Sequence, residues 1–339
     1  MKDISFLGID LAKSTFQIHG LDCNHKTMLR KKLTRSKLFL FMANLPAATV
    51  FMEACTGAHF FAKKFMDHGH IVKLIAPQFV KPFVRSNKND RNDAEAIVEA
   101  GLRPSMNFVS LKSSSHLDLQ AVHKIRRRLV KNKTALMNEI RGVLAEQGVI
   151  IAKGEASLKK VLAELLRDSI SESVSGYCKE TIADLHHELL EIEERIQTQT
   201  ARLERCAKEN ETARRLQTIP GVGLVTSTAM LCAVSDPSSF KNGRQFAAWL
   251  GLVPKHTGTG GKNKVLGISK RGDRYLRSIL VQGAKAVLIK AHNRTDKISV
   301  WATKLKEAKG PNKAAVALAN KNARIIMALL KSGDSFKVA

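Results

Sequence analysis

The sequence predicts an α/β domain at residues 1–110, an all-helical middle at 111–210 with a coiled-coil pattern, and a mainly α-helical C-terminal unit at 211–339. Three observations carry this division. Near the start, short apolar runs alternate with amphipathic stretches; the middle has apolar residues at helical and heptad spacing; near the end, Pro and Gly punctuate short helical segments. With 339 residues, 44% of them hydrophobic, the chain is long enough for two domains with cores of their own.

In "ISFLGIDLAKSTFQIHGLD" (4–22) β-formers cluster on both sides of Lys13-Ser14, which predicts two adjacent strands. "ATVFME" (48–53) reads as a short buried strand, "TGAHFFAKKFMDHG" as an amphipathic helix ending at Gly69, and "HIVKLIAP" (70–77) as a strand stopped by Pro77. "NDRNDAEAIVEAGL" has helical spacing, with Ala94, Ile97, Val98 and Leu102 able to share a face. In the middle, Val122, Ile125, Leu129, Leu136, Ile140 and Val143 make an apolar stripe, and Lys124, Arg127, Arg128 and Lys131 recur one turn apart on another face. Ile182, Leu189, Ile196 and Leu203 then repeat every seven residues until Gln199 takes an interior slot. That pattern fits a helical hairpin within one chain or pairing between chains.

Charge is the strongest compositional signal. Fifty-six Lys and Arg against 30 Asp and Glu give a net +26, and the pI is about 10.1. Such an excess repels itself unless a polyanion is the partner, which makes nucleic acid the expected ligand and the basic helix face a phosphate contact. From Lys241 to Ala339 there are 21 Lys and Arg but four acids, Asp273, Asp296, Glu307 and Asp334. No apolar run of membrane-spanning length and no signal-peptide layout is present, and the five cysteines show no CxxC pair. A cytoplasmic protein with reduced, mostly buried thiols and no membrane partner is expected.

Against this basic background four acids sit in pointed places. Asp10 interrupts the apolar "FLGIDLA", Glu53 ends "TVFME", and Asp90 and Asp93 lie three apart at the start of a helix. Singly each has a plain structural explanation: a turn cap, a lysine partner, an N-cap. As a set they offer the hard oxygen ligands that a divalent-metal phosphoryl-transfer centre needs, which is the logic of an RNase H-like fold.

The C-terminal unit adds three features. "IPGVG" places Pro220, Gly221 and Gly223 between helical segments, a helix-hairpin-helix-like turn whose backbone N–H groups can hold a DNA phosphate. "PKHTGTGGKNK" (254–264) lacks bulky apolar residues and reads as a mobile loop that grips phosphate through Lys262 and Lys264. Arg271, Arg274 and Arg277 recur every three residues and are expected on one side of a helix, against phosphates.

"GIDLAK", "MEACTG", "NDRNDAEAI", "IPGVG", "FAAWLGLVP" and "ISKRGDRYLRSIL" together resemble the DEDD transposases of bacterial insertion sequences, the IS110 family and within it the IS1111 branch, with the Piv-type DNA invertases as relatives. The likeness runs over nearly the whole chain, the middle helices being least diagnostic. It implies that Asp10, Glu53, Asp90 and Asp93 form the tetrad of a RuvC-like, RNase H-fold domain binding Mg²⁺, with Mn²⁺ as the alternative ion. It further implies a serine nucleophile in the glycine-rich loop that links covalently to the DNA 5′ phosphate, a non-coding bridge RNA that pairs donor and target duplexes, and a tetramer made of two dimers.

Here the chain departs from the family. Counting from "FAAWLGLVP" the expected serine falls on Thr259, counting back from "ISKRG" it falls on Gly258, and the nearest serine is Ser269. Thr259 is the preferred nucleophile, Thr257 the alternative, and loss of the nucleophile the third reading; threonine has the same hydroxyl chemistry with a methyl that crowds attack. The functions in competition are an RNA-guided DNA recombinase, a RuvC-like nuclease or junction resolvase without a covalent intermediate, and a non-catalytic nucleic-acid-binding protein.

Overall fold

The computed structural model describes residues 4–84, 90–166, 174–259 and 262–336. Its contacts divide the chain into two compact units, residues 1–113 and 114–339. The second takes in both the helical region expected at 111–210 and the unit expected from 211.

The first unit is built on a six-stranded mixed sheet. Its strands are β1 (Phe6–Asp10), β2 (Thr15–Leu21), β3 (Thr27–Thr34), then helix α1 (Arg35–Asn44), β4 (Thr49–Glu53), α2 (Ala58–Asp67), β5 (Ile71–Ile75), the short α3 (Pro77–Val80), α4 (Asp90–Gly101) and β6 (Phe108–Val109). The order across the sheet is β3-β2-β1-β4-β5-β6. β1 pairs antiparallel with β2 and parallel with β4, and β4 pairs parallel with β5. The central strands β1 and β4 are buried at their three middle residues and only half-buried at their ends, as expected of strands covered on both faces. Leu7, Ile9, Val50 and Met52 pack with Leu38 and Met42 of α1 and Phe61 and Phe65 of α2, while Phe51 and Ile75 pack with Ile97 and Val98 of α4. The sheet is therefore enclosed between two helical layers.

β3 and α1 have no counterpart in the sequence reading. β3, "TMLRKKLT", is largely exposed, a charged edge strand whose lysines oppose pairing with another sheet and erase the alternation by which strands are recognised. On the other face, α4 lies so close to β1 that a Cβ added at Gly8 would stand 2.3 Å from the carbonyl oxygen of Ala94. Only glycine permits that approach.

The second unit opens with α5 (Ser114–Glu146), α6 (Glu155–Leu166) and α7 (Gly176–Glu209), then α8 (Glu211–Leu216), α9 (Leu224–Ala233), α10 (Gly243–Trp249), the hairpin β7 (Pro254–Thr259) and β8 (Lys262–Ile268), α11 (Arg274–Lys290), α12 (Lys297–Lys309) and α13 (Pro311–Ser332). α5 and α7 form a hairpin within the chain: Leu136, Ile140 and Leu144 share a core with Ile182, Leu189 and Ile192, and Leu119 meets Leu203 near the other end. The heptad positions are thus largely consumed inside one chain. Lys133 and Lys159 each bridge Glu155 and Glu193 at 2.8–3.0 Å, closing an ion-pair ring across α5, α6 and α7.

Two expectations are corrected here. Ile125, assigned to the apolar stripe of α5, is 38% exposed, and its neighbour His123 is buried instead. The Thr228 hydroxyl donates to the Leu224 carbonyl (2.7 Å) and so accepts from His123 Nε2–H (3.1 Å), which leaves Nδ1 to accept from the Tyr275 hydroxyl at 2.9 Å. A satisfied polar network holds α5, α9 and α11 where the stripe predicted isoleucine packing. Second, "PKHTGTGGKNK" is not a structureless loop: β7 and β8 pair antiparallel, Thr257 opposite Lys264 and Thr259 opposite Lys262. Gly260-Gly261 between extended segments was the missed hairpin signal. Among the described residues no helix is long and apolar enough to cross a membrane.

Two outcomes are expected. Gly8→Ala forces α4 away from β1 and costs about 1–3 kcal/mol, read as a lower urea midpoint. Burial, then Arg126, hold the His123 imidazole neutral and lower its pKa from 6.5 to about 4. The unfolded chain takes up that proton first, so this contribution is complete above pH 6.5 and lost progressively toward pH 4, on the order of 2–3 kcal/mol. His123→Gln is expected to flatten that part of the stability–pH curve.

Candidate active site

Parallel pairing brings the first two acids together. β1 and β4 run in register to Ile9 opposite Met52, and the next residue on each strand is Asp10 and Glu53. Both close their strands and both are half-buried. Asp90 opens α4, and Asp93 follows within its first turn, half-buried. The Asp90 side chain is not among those described. Burial pushes the Glu53 carboxyl above the ordinary carboxylate range, and the charges of Asp10 and Asp93 push it the same way. The Cys55 thiol beyond it is raised by burial and by Glu53 and Asp10. Among the described residues no lysine or arginine forms an ion pair with Glu53.

Asp10, Glu53 and Asp93 therefore share one electrostatic environment at the end of the two central strands. Among the described residues no group of three or more His, Cys, Asp or Glu is gathered tightly enough to hold a metal ion. The chemistry of the donors still fits one: the charges of Asp10 and Asp93 raise the Glu53 carboxyl, and a cation bound among the three would offset that repulsion.

In the second unit, Lys124, Arg127, Arg128 and Lys131 are all exposed on α5; the Arg127 guanidinium lies 5.3 Å from the Tyr275 ring centroid. In the turn between α8 and α9, Gly221 has φ +84°, and a Cβ there would meet the Gly283 carbonyl oxygen at 2.8 Å. Its backbone is pressed on α11, while Gly223, at the start of α9, faces open space. Of the pair expected to hold phosphate, Gly223 is the accessible one.

The three arginines do not share a helix face. α11 begins at Arg274, so Arg271 lies in the preceding loop. Arg277 donates to the carbonyls of Leu250 (3.1 Å) and Arg271 (3.2 Å), and its guanidinium braces the loop; Arg271 and Arg274 are exposed. Lys264 is exposed on β8. Thr257 is exposed on β7, whereas the side chains of Thr259 and Lys262 are not among those described. Sequence reasoning missed the His123–Tyr275 pairing, 152 positions apart, because no local spacing signals it.

Comparison with known proteins gives concordant matches. The family model described as Transposase IS116/IS110/IS902 family matches residues 213–298, and a DEDD transposase model of the IS110 type matches residues 7–148. The chain is similar to the transposase for insertion sequence element IS1111A of Coxiella burnetii, 45% identical over 99% of this chain and 92% of that one. It is similar to a probable family 20 transposase of Pseudomonas aeruginosa, 42% identical over 99% of each. The pilin gene-inverting protein of Moraxella bovis is 25% identical over 93% of this chain and 91% of its own.

Glu53→Gln tests the carboxylate cluster. Its raised pKa makes the folded state prefer the protonated carboxyl, so stability present below the ordinary carboxylate range is lost as pH rises through the raised value. The amide removes this loss, so the metal-free variant is expected to be more stable than the wild type above the raised value, read as a higher urea midpoint, and the variant supplied with magnesium is expected to lose DNA cleavage.

Proposed function

This chain belongs to the IS116/IS110/IS902 family of transposases, enzymes that recombine DNA, and from that premise we propose that its first unit is an RNase H-like, RuvC-like catalytic domain acting with a hydroxyl of the second. The observation that carries the reading is the convergence of Asp10 and Glu53 on adjacent parallel strand ends, with Asp93 close enough to raise the Glu53 carboxyl. Asp10, Glu53, Asp90 and Asp93 would hold a divalent cation, magnesium or alternatively manganese. When bound, that ion polarises a phosphodiester and stabilises charge on the entering and departing oxygens.

The Thr259 hydroxyl is the proposed nucleophile, with Thr257 two residues earlier on β7 as the alternative. Its oxygen bonds to phosphorus, the bond from phosphorus to the DNA 3′ oxygen breaks, and the threonine proton passes by way of solvent to that oxygen. The 5′ phosphate stays on the protein until a 3′ hydroxyl of another strand attacks and restores the threonine. Both steps exchange one phosphate ester for another, so strand joining needs no outside energy source. Lys124, Arg127, Arg128, Lys131, Lys262, Lys264, Arg271 and Arg274, with the Gly223 backbone, would hold phosphates of donor and target duplexes. A bridging non-coding RNA, and assembly as two dimers, complete the proposal and rest on family resemblance.

The test mixes protein, flanking RNA, donor and target duplexes and magnesium, then quenches in denaturant. A protein–DNA adduct mapped by peptide mass spectrometry to Thr259 is expected, lost in Thr259→Val. Asp10→Ala is expected to bind DNA yet cleave it roughly a thousandfold or more slowly. Free cut ends with no adduct would replace the covalent step with metal-dependent hydrolysis.

A further inference from the structure

The second unit contains a groove of about 1460 Å³ that the proposed chemistry leaves unused. Its walls come from the base of the β7–β8 hairpin, the start of α10, Trp301 of α12 and one face of α13. Four cations line it, Arg244, Lys313, Lys321 and Arg324, and no carboxylate is among the residues that line it. Between the cations the wall is apolar and open to water: Val265 is 62% and Leu266 40% exposed. The Lys321 ammonium lies 4.5 Å from the centroid of the Trp301 ring. α10 and α13 close one side, where a Cβ at Gly243 would stand 3.0 Å from the Arg324 Cα.

These properties select among occupants. The groove exceeds the roughly 300–1,000 Å³ of small-molecule pockets. An apolar peptide would leave four cations without counter-charge. Duplex DNA would satisfy the cations, but its stacked bases would leave Val265, Leu266 and Trp301 in water. An unpaired strand presents phosphates and apolar base faces together, and basic grooves with aromatic or apolar platforms bind such strands without reading sequence. The groove also adjoins Pro254 and Ile268, the paired residues at the base of the hairpin that carries Thr257 and Thr259.

We infer that this groove binds a single-stranded segment of DNA, its phosphates on Arg244, Lys313, Lys321 and Arg324 and its bases against Val265, Leu266 and Trp301. This rests on DNA being the substrate, and not on the identity of the nucleophile or of the metal ligands. It supplies a place for a strand that has left its duplex, beside the hairpin proposed to cut it.

Binding is measured on the full-length protein in EDTA, so that cleavage plays no part. Fluorescence anisotropy compares an oligothymidylate of about 15 nucleotides, a duplex of equal length and an oligouridylate. With four phosphate contacts the single-strand affinity is expected to fall with salt at a log–log slope near −3, from about 0.7 per contact. Lys313→Glu/Lys321→Glu is expected to weaken oligothymidylate about tenfold or more and the duplex by less than about threefold. The chain has two tryptophans, so Trp249→Phe, which keeps a ring against Phe246, leaves Trp301 as the sole reporter; its emission is expected to be quenched by oligothymidylate. Equal losses for both DNA forms, unchanged Trp301 emission, or tighter binding of oligouridylate would overturn the inference. Asp10→Ala is expected to bind oligothymidylate as the wild type does, so failure of the proposed catalytic site and failure of the groove are read separately.

Discussion

Parallel pairing of β1 with β4 is the contact on which the first unit turns. Two strands that run side by side in the same direction finish at the same level, so the residues that end them become neighbours. Here those residues are Asp10 and Glu53. A parallel pair needs a crossover, and the chain supplies it with β2, β3 and α1, of which α1 then covers one face of the sheet. On the opposite face, Gly8 lets α4 settle against β1 at a distance no other residue allows, and the helix carries Asp93 with it. The placement is electrostatically costly: burial and two like charges raise the Glu53 carboxyl. A positive charge placed among these carboxylates would relieve that repulsion.

The second unit relies on a different device, backbone pressed on backbone. Gly221 and Gly283 meet so closely that a Cβ on Gly283 would lie 1.9 Å from the Gly221 carbonyl oxygen. Gly251 and Gly272, both at positive φ, clasp the turn after α10 to the loop before α11. Arg277 fastens the same junction through two carbonyls. The base of the β7–β8 hairpin is thus anchored on a rigid seat, while the hairpin itself is exposed along its described side chains from Pro254 to Gly258. The hairpin is thus firm where it joins the fold and uncovered beyond it.

Much of this was legible before any coordinates. "FLGID" and "TVFME" read as buried strands because runs of apolar β-formers are a local property, and the helix of Asp90 and Asp93 followed from its spacing. What escaped did so for identifiable reasons. The lysines of β3 mask its alternation. His123 occupies a core position because Thr228 and Tyr275, from distant helices, satisfy both ring nitrogens. Arg277 resembled Arg271 and Arg274 as a cation on a periodic face, yet two carbonyls claim it.

By itself the sequence determined the charge, the residue types available for chemistry and the local periodicities. These depend on each residue and its near neighbours along the chain. Tertiary structure alone decided that Asp10 lies beside Glu53, that the heptad positions are spent within one chain, and that Arg244, Lys313, Lys321 and Arg324 share one groove. The physical reason is common to all three: proximity between distant residues is set by which strands pair and which helix faces are buried together, and that is settled by packing the whole chain at once.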